Sequence, residues 1–422
     1  MQRRLVLLAI PSISLFFVAT TLYLGRDRFA WPLLPNNGRH KTPEEPVLGQ
    51  VANGTVLPSA TITQYLEAIL NPSWSSELPT LACPAINTTR YDALRDGDFS
   101  TATTRYFFAL NLRQNLPLLP RLMGSIVEAI RFLGPKHCAL SIVEGHSPDG
   151  TADVLAALGP ALESMGTPYY FASSEIDPGK GERIARLAAL RNLALAPLFT
   201  LPGKTAEDAT VVFLNDVSAC PEDILELLHQ KRATGADMTC AMDWTYVGRD
   251  PTFYDVWVAR NMHGDSFFNI PPDGSWDSAW NLFWNAEETR ARFFDGRPFQ
   301  VFSCWNGAVA FTAQPILQKT VRFRAANGAA GECEQGEPQL FCKDLWFRGY
   351  RKIAVVPSVN LEYSVEKGRM IKEAKGFTGD AVSRQDASGD MIDWRPDPPE
   401  KVKCMPSWDN QFWQWWNETL KP

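Results

Sequence analysis

A continuous apolar run, Val211-Val212-Phe213-Leu214, stops abruptly at Asn215-Asp216. A run of that kind reads as a strand covered on both faces. The carboxyl end of such a strand is where an α/β sheet can hold a divalent cation against a diphosphate, and Asp216 stands there. Asn215-Asp216-Val217 resembles a reduced form of the two-carboxylate Asp-x-Asp metal pattern. With one carboxylate in place of two, the second oxygen donor comes from Asn215, from water, or from a distant residue such as Asp243. The plainer alternative is an Asn-Asp pair opening a turn.

Two other constellations suit the same chemistry. Ser141-Ile142-Val143-Glu144 leads into Gly145-His146-Ser147-Pro148-Asp149-Gly150-Thr151, a strand, an acid and a polar turn. Glu144 is placed to accept hydrogen bonds from a ribose or base, with Asp149 beside it; Ser147, Asp149, Gly150 and Thr151 are equally explained as a turn and a helix cap. Glu182-Arg183-Ile184-Ala185-Arg186 and Leu190-Arg191-Asn192 put basic and amide groups along one helix, where Arg183, Arg191 and Asn192 can meet a diphosphate and base. Solvated helix arginines are the alternative. Gly179-Lys180-Gly181 is not a P-loop, since it lacks the leading glycine and the hydroxyl after lysine.

The elements that must position these residues alternate along the chain. Strands are expected over Tyr106 to Leu112, Cys138 to Val143, Val211 to Leu214, Met238 to Met242, Ala308 to Phe311 and Ile353 to Val356. Helices are expected over Leu118 to Leu133, from a cap at Thr151, over Glu182 to Ala196, Glu222 to Gln230 and Leu340 to Phe347. Such alternation is the pattern of a mainly parallel sheet with crossover helices. Phe253 to Trp284 is aromatic, acidic and loop-like, as suits a lobe over a substrate, and the Trp-rich end, Trp408 to Trp416, is expected to pack back on the domain.

Leu5 to Leu24 carries no charge and is long enough to cross ~30 Å of hydrocarbon. Four residues precede it, which favours a short cytoplasmic tail (1–4), a signal anchor (5–24), a stem (25–80) rich in Pro, Asn, Gly and Ser with one short apolar helix candidate at Ile62 to Leu70, and a lumenal domain (81–422). A cleaved signal peptide is the alternative. Eight cysteines and three glycosylation sequons, at Asn53, Asn87 and Asn417, fit an oxidising lumen. Their spacing leaves the disulfide pairing open and suggests no zinc site. A net charge of -6 excludes a nucleic-acid partner. The 14 Trp and 24 Phe include Trp276 and Trp305 beside polar residues, where a ring can stack on a sugar or simply fill the core.

In their joint order these segments resemble the fungal capsule-associated α-1,3-mannosyltransferase family. Phe213-Leu214-Asn215-Asp216-Val217, Ser303-Cys304-Trp305-Asn306-Gly307, and Cys333-Glu334-Gln335-Gly336-Glu337 leading to Phe341-Cys342-Lys343-Asp344-Leu345-Trp346 carry the likeness, which spans Tyr106 to Tyr363. Gly336 departs from it, standing where a small hydroxyl residue is expected. The resemblance implies a GT-A-like nucleotide-sugar fold and a type II Golgi membrane enzyme of polysaccharide biosynthesis. It also implies GDP-mannose as donor, Mn²⁺ as cofactor, and transfer to a mannose-containing glycan with an α-1,3 linkage and retention. On this reading Asp216 holds the cation, while Glu144, Asp149, Arg183, Arg191, Asn192 and Asn215 seat the nucleotide sugar. Trp305, Asn306 and Asp344 line the sugar or acceptor pocket. Retention requires attack by an enzyme carboxylate or entry of the acceptor on the leaving-group face. Glu334, Glu337, Asp344, Asp255 and Asp265 are the carboxylates available. A glycoside hydrolase would also want tryptophan platforms and paired carboxylates, and a carbohydrate-binding membrane protein would share the aromatics and sequons. Neither needs a basic helix and a strand-end aspartate directed at a diphosphate.

Overall fold

The computed structural model describes residues 51–71, 78–95, 103–201, 204–385 and 387–420. The expected tail, the apolar span and much of the stem lie outside them. Among the described residues no helix is long and apolar enough to cross a membrane. All described residues belong to one compact unit, Pro46–Pro422.

The unit is mixed α/β around a mainly parallel nine-stranded sheet. In chain order its strands are β1 (Thr103–Leu112), β2 (Cys138–Glu144), β3 (Tyr169–Ser173), β4 (Lys204–Leu214), β5 (Met238–Val247), β6 (Asp250–Phe253), β7 (Phe299–Gln300), β8 (Ala308–Thr312) and β9 (Ile353–Leu361). They lie in the order β3-β2-β1-β4-β8-β5-β9-β7, with β6 paired to β5. β1 pairs in parallel with both β2 and β4, and β2 with β3. β8 runs antiparallel between β4 and β5, and β9 resumes the parallel direction beside β5.

Side chains alternate across a strand, so each strand feeds two cores. Phe108, Leu110, Leu140, Ile142, Val212 and Leu214 join the core on one face. Phe107, Ala109, Ala139, Val211 and Phe213 join the core on the other. The first face is covered by α1 (Ser59–Leu70), α2 (Leu119–Leu133), α3 (Thr151–Ser164) and α5 (Pro221–Thr234). The second is covered by α4 (Arg183–Leu195), α7 (Glu337–Phe347) and the long loop after β6; α6 (Glu287–Phe294) follows that loop.

Three features differ from the sequence expectations. The helix expected in the stem over Ile62 to Leu70 runs from Ser59 to Leu70 and packs on the domain: Ile62, Leu66, Ile69 and Leu70 fall at helical spacing and are buried in the core. The segment before it is pinned as well, because Asp153 accepts the backbone N–H groups of Thr55, Val56 and Leu57 at 2.8 to 2.9 Å. Thr151 is the first residue of α3 and not its cap. Gly150, at φ +92°, precedes the helix, and Asp149 accepts both the N–H and the hydroxyl of Thr151. The Trp-rich end forms a hairpin, β10 (Lys401–Cys404) with β11 (Phe412–Trp415), in which Trp408 and Trp416 pack on the core while Phe412, Trp413 and Trp415 stay exposed.

Six cysteines pair as Cys83–Cys220, Cys240–Cys304 and Cys333–Cys404, while Cys138 and Cys342 are free and buried. The second bridge fixes the loop carrying Trp305 to β5. The third fixes the approach to α7 to the C-terminal hairpin.

Candidate functional site

The parallel strands end at a cleft of about 480 Å³. β4 delivers Asn215 and Asp216 to its floor, α4 supplies Arg183 and Arg191, and α7 supplies Glu337 at its first residue. The loop after β6 brings Tyr254, Asp255 and Trp257, and Tyr363 enters just past β9.

Asp216 is half-buried, and burial raises its carboxyl above the ordinary aspartate value; the Asn115 hydrogen bond and the Arg191 charge oppose that rise. Asn115 Nδ2 donates to Asp216 Oδ2 at 3.1 Å. The turn that holds Asn115 is clamped by the segment read above as nucleotide-binding. Gln114 N–H donates to Ser147 Oγ at 2.7 Å, Asn115 N–H to Thr151 Oγ1 at 3.0 Å, and Leu116 N–H to Asp149 Oδ2 at 3.1 Å. Glu144 is fully buried and in turn accepts the N–H and the hydroxyl of Ser147. Glu144 and Asp149 thus stand outside the cleft, bracing the turn that orients Asp216.

Asn215 faces the cleft with its Oδ1 accepting from Trp305 Nε1 at 3.0 Å. Trp305 is almost wholly buried and meets Phe213 and Phe323 edge-on or tilted. The Arg191 guanidinium lies 4.4 Å over the Trp305 ring and 5.2 Å from that of Phe213, while its Nε donates to Glu337 Oε1 at 2.8 Å. Arg191 therefore fastens Glu337 to an aromatic floor. Arg183, at the start of the same helix, is exposed along the cleft.

Asn306 is buried at φ +51°, a left-handed conformation that Asn tolerates better than most residues. Its side chain donates to Ala241 O and its N–H to Asp255 Oδ2 at 2.9 Å. It positions Asp255 and does not line the pocket. Burial pushes Asp255 up to about 6, against the opposing pull of Asn306 and Arg191. Beneath lies Asp243, fully buried, with one oxygen accepting from the Tyr363 hydroxyl at 2.5 Å and the other without a hydrogen-bond partner. Burial, and then the charge of Asp255, raise it well above the usual range. Asp243 is sealed under Tyr363 and does not reach the cleft as a second cation donor.

The other expected residues lie elsewhere. Asn192 clips the backbone of Phe323 through two hydrogen bonds. Asp344 pairs with Arg324 at 2.7 Å, and Asp265 bonds Asn285 and lies 3.5 Å from Lys403. Glu334 is exposed and away from the cleft lining. Of the sequon residues, Asn53 and Asn87 are exposed and Asn417 is half-buried. Asn115, Tyr254, Trp257 and Tyr363 were missed. Asn115 and Tyr363 follow the ends of β1 and β9, the same strand-end position that marks Asp216, so that signal was available.

Among the described residues no group of three or more His, Cys, Asp or Glu is gathered to hold a metal ion. The donor set fits a hard divalent cation that uses one carboxylate and completes its shell with substrate phosphates and water. Asp216 meets that description, being half-buried, oriented by a neutral amide, and without an ion-pair partner among the described residues.

Residues 105–344 match the family model described as Cryptococcal mannosyltransferase 1. The α-1,3-mannosyltransferase CMT1 of Cryptococcus neoformans is 39% identical over 318 residues, 72% of this chain and 68% of that protein. Among solved structures, residues 1–349 of S. aureus TarS align at 13% identity and a TM-score of 0.36, covering 67% of this chain and 66% of that one. The mannosyltransferase PcManGT of Pyrobaculum calidifontis, solved with GDP-Man and Mn²⁺, aligns at 12% identity and a TM-score of 0.36, covering 78% and 75%. Both structural likenesses are distant.

Proposed function

The chain belongs to the Cryptococcal mannosyltransferase 1 family, and we propose that it transfers mannose from GDP-mannose to a mannose-containing glycan, forming an α-1,3 linkage with retention. The observation that carries this reading is the meeting of Asp216, Arg183, Asp255 and Glu337 in one cleft at the carboxyl ends of the parallel strands. We read the fold as GT-A-like. We further propose a single-pass type II enzyme of the Golgi membrane with its catalytic domain in the lumen; the three disulfides support an oxidising compartment.

A bound Mn²⁺ supplies Lewis-acid neutralisation of the charge that grows on the leaving diphosphate. Asp216, oriented by Asn115, is the residue that would hold it. Arg183 faces the same charge from the first turn of α4, whose N-terminal N–H groups favour anions. Arg191 keeps the Glu337 carboxylate in place, and Asn306 does the same for Asp255. These two carboxylates stabilise the positive charge developing on the sugar. The acceptor enters on the face the diphosphate leaves, so the departing phosphate takes the acceptor's proton and the anomeric configuration is kept.

The test is a screen of the purified full chain against several sugar nucleotides. GDP release is expected from GDP-mannose, only with Mn²⁺ or a similar ion, with an α-1,3-linked product on an oligomannoside. Cleavage of oligomannoside without nucleotide, or consumption of another sugar nucleotide in its place, would overturn the reading.

A further inference from the structure

The residues lining the cleft fall into two chemical sets. One is polar and charged, formed by Asn111 of β1, Arg183 and Arg191 of α4, and Asn215-Asp216. The other belongs to the loop after β6, where Trp257, Trp276 and the valines flanking Trp257 line the opening. Trp257 leaves 38% of its surface to solvent. An indole face so exposed at a cleft mouth is apolar area without a partner.

These rings are held in place from behind. Trp257 lies 4.1 Å from Trp408, ring centroid to centroid, and Trp408 meets Trp276 edge-on at 6.5 Å. Trp276 also leans on Phe268 at 5.6 Å. Gln411 Nε2 bonds the carbonyls of Trp408 and Pro271, tying the two loops together. Gly274, at φ +75°, lets Trp408 approach so closely that a Cβ there would lie 2.8 Å from the indole. Four residues before Trp408, the Cys333–Cys404 bridge anchors the same segment to the approach of α7. Three distant stretches of chain thus converge to make one rigid aromatic wall, where a solvent-facing loop needs none.

We propose that Trp257, backed by Trp408 and Trp276, is the acceptor subsite, a platform on which a pyranose ring of the glycan acceptor stacks. This rests on the transferase reading above. A sugar fits the wall because one face of a pyranose is made of C–H groups while its hydroxyls point outward, and an indole is a large flat apolar surface. The neighbours of Trp257 favour a sugar over the nucleobase. Val258, next to Trp257, lies 3.7 Å from where a Gly336 Cβ would stand, beside Glu337, one of the two carboxylates read above as facing the sugar. The platform borders the sugar end of the donor, where the acceptor must arrive.

The experiment measures KM separately for GDP-mannose and for an α-linked mannotriose, with the full chain and three variants. Trp257→Ala raises the acceptor KM on the order of tenfold, the loss of about one stacked ring, with the donor KM at its wild-type value. Trp257→Phe restores most of the affinity. Trp280→Ala, which removes a ring 78% exposed but outside the cleft lining, changes neither constant. Saturation-transfer NMR with mannotriose and no donor reports the same contact independently, the signal being lost in Trp257→Ala. A rise in donor KM with the acceptor KM unchanged assigns the ring to the base and overturns the proposal, as does an acceptor KM indifferent to Trp257. If wild-type protein binds mannotriose through Trp257 yet never releases GDP from GDP-mannose, the platform stands and the transferase reading falls.

Discussion

Two clusters of carboxylates in this chain are built on opposite principles. At the cleft and just beneath it, Asp216, Asp255 and the sealed Asp243 are desolvated with few cationic partners, and all three are raised. Below α7, Arg324 binds both Glu332 and Asp344, and Lys343 binds Glu332 and Glu418, each at 3.0 Å or less. Burial alone would raise Glu332 too, yet hydrogen bonds from Arg324, Lys343 and the Asn327 N–H outweigh it and hold the group down at about 2. The second cluster spends its charges on holding the fold. The first leaves its carboxyls without ion-pair partners among the described residues, an arrangement that suits the proposed reading of a site receiving a cation and a polarised substrate.

The sharpest way to break the contrast is at Asp216. Asp216→Ala lowers turnover on the order of a thousandfold, the scale of losing a key electrostatic group in a closed site, with an unchanged circular dichroism spectrum. Glu332→Ala does the reverse. It leaves Arg324 and Lys343 facing a hole and costs about 3 kcal/mol of stability, read as a fall in the urea midpoint, while turnover per folded molecule stays near wild type.

The pH dependence of stability separates the clusters by sign. Glu332 is depressed from 4.5 to about 2, so its contribution is complete above 4.5 and is lost as pH falls through about 2. Asp255 is raised from 3.8 to about 6, so its contribution is present below 3.8 and is lost as pH rises through about 6. Urea titrations from pH 2 to 8 should show Glu332→Gln flattening the acid limb and Asp255→Asn flattening the limb between 4 and 6. Identical profiles in both variants would erase the distinction.

A smaller effect sharpens it. Gly336 precedes α7 with no side-chain cap, at φ -61° and ψ 147°, and its Cβ direction meets nothing nearer than 3.5 Å. Gly336→Ser should add a few tenths of a kcal/mol by capping the helix, measured as a slightly higher melting temperature. A destabilised variant would show that the cleft needs the space.

The sequence was informative where one strand decides the outcome. Apolar runs at Val211 to Leu214 and Cys138 to Val143 announced buried strands, and the polar residue ending the first of them lines the cleft. It was less informative where a partner decides. Glu144, Asp149, Asn192 and Asp344 are the residue types of a binding site, but the fold gives them the partners Ser147, Leu116, Phe323 and Arg324 and leaves them out of the cleft lining. The apolar spacing over Ile62 to Leu70 foretells helix α1, but the Pro, Gly and Ser that flank it point to a stem, and only the core shows that it packs on the domain. β3 was not foreseen, being only five residues long and closing one end of the sheet order. Trp257 could not be told from a core tryptophan until Trp408 was seen to support it from behind.

Asp216 is the residue proposed to hold a cation against the donor diphosphate. Electron paramagnetic resonance of Mn²⁺ titrated into the full chain, with and without GDP, tests it directly. Wild-type protein should bind Mn²⁺ in a GDP-dependent manner and Asp216→Asn should not. Equal Mn²⁺ binding by both proteins, with equal release of GDP from GDP-mannose, would contradict the account.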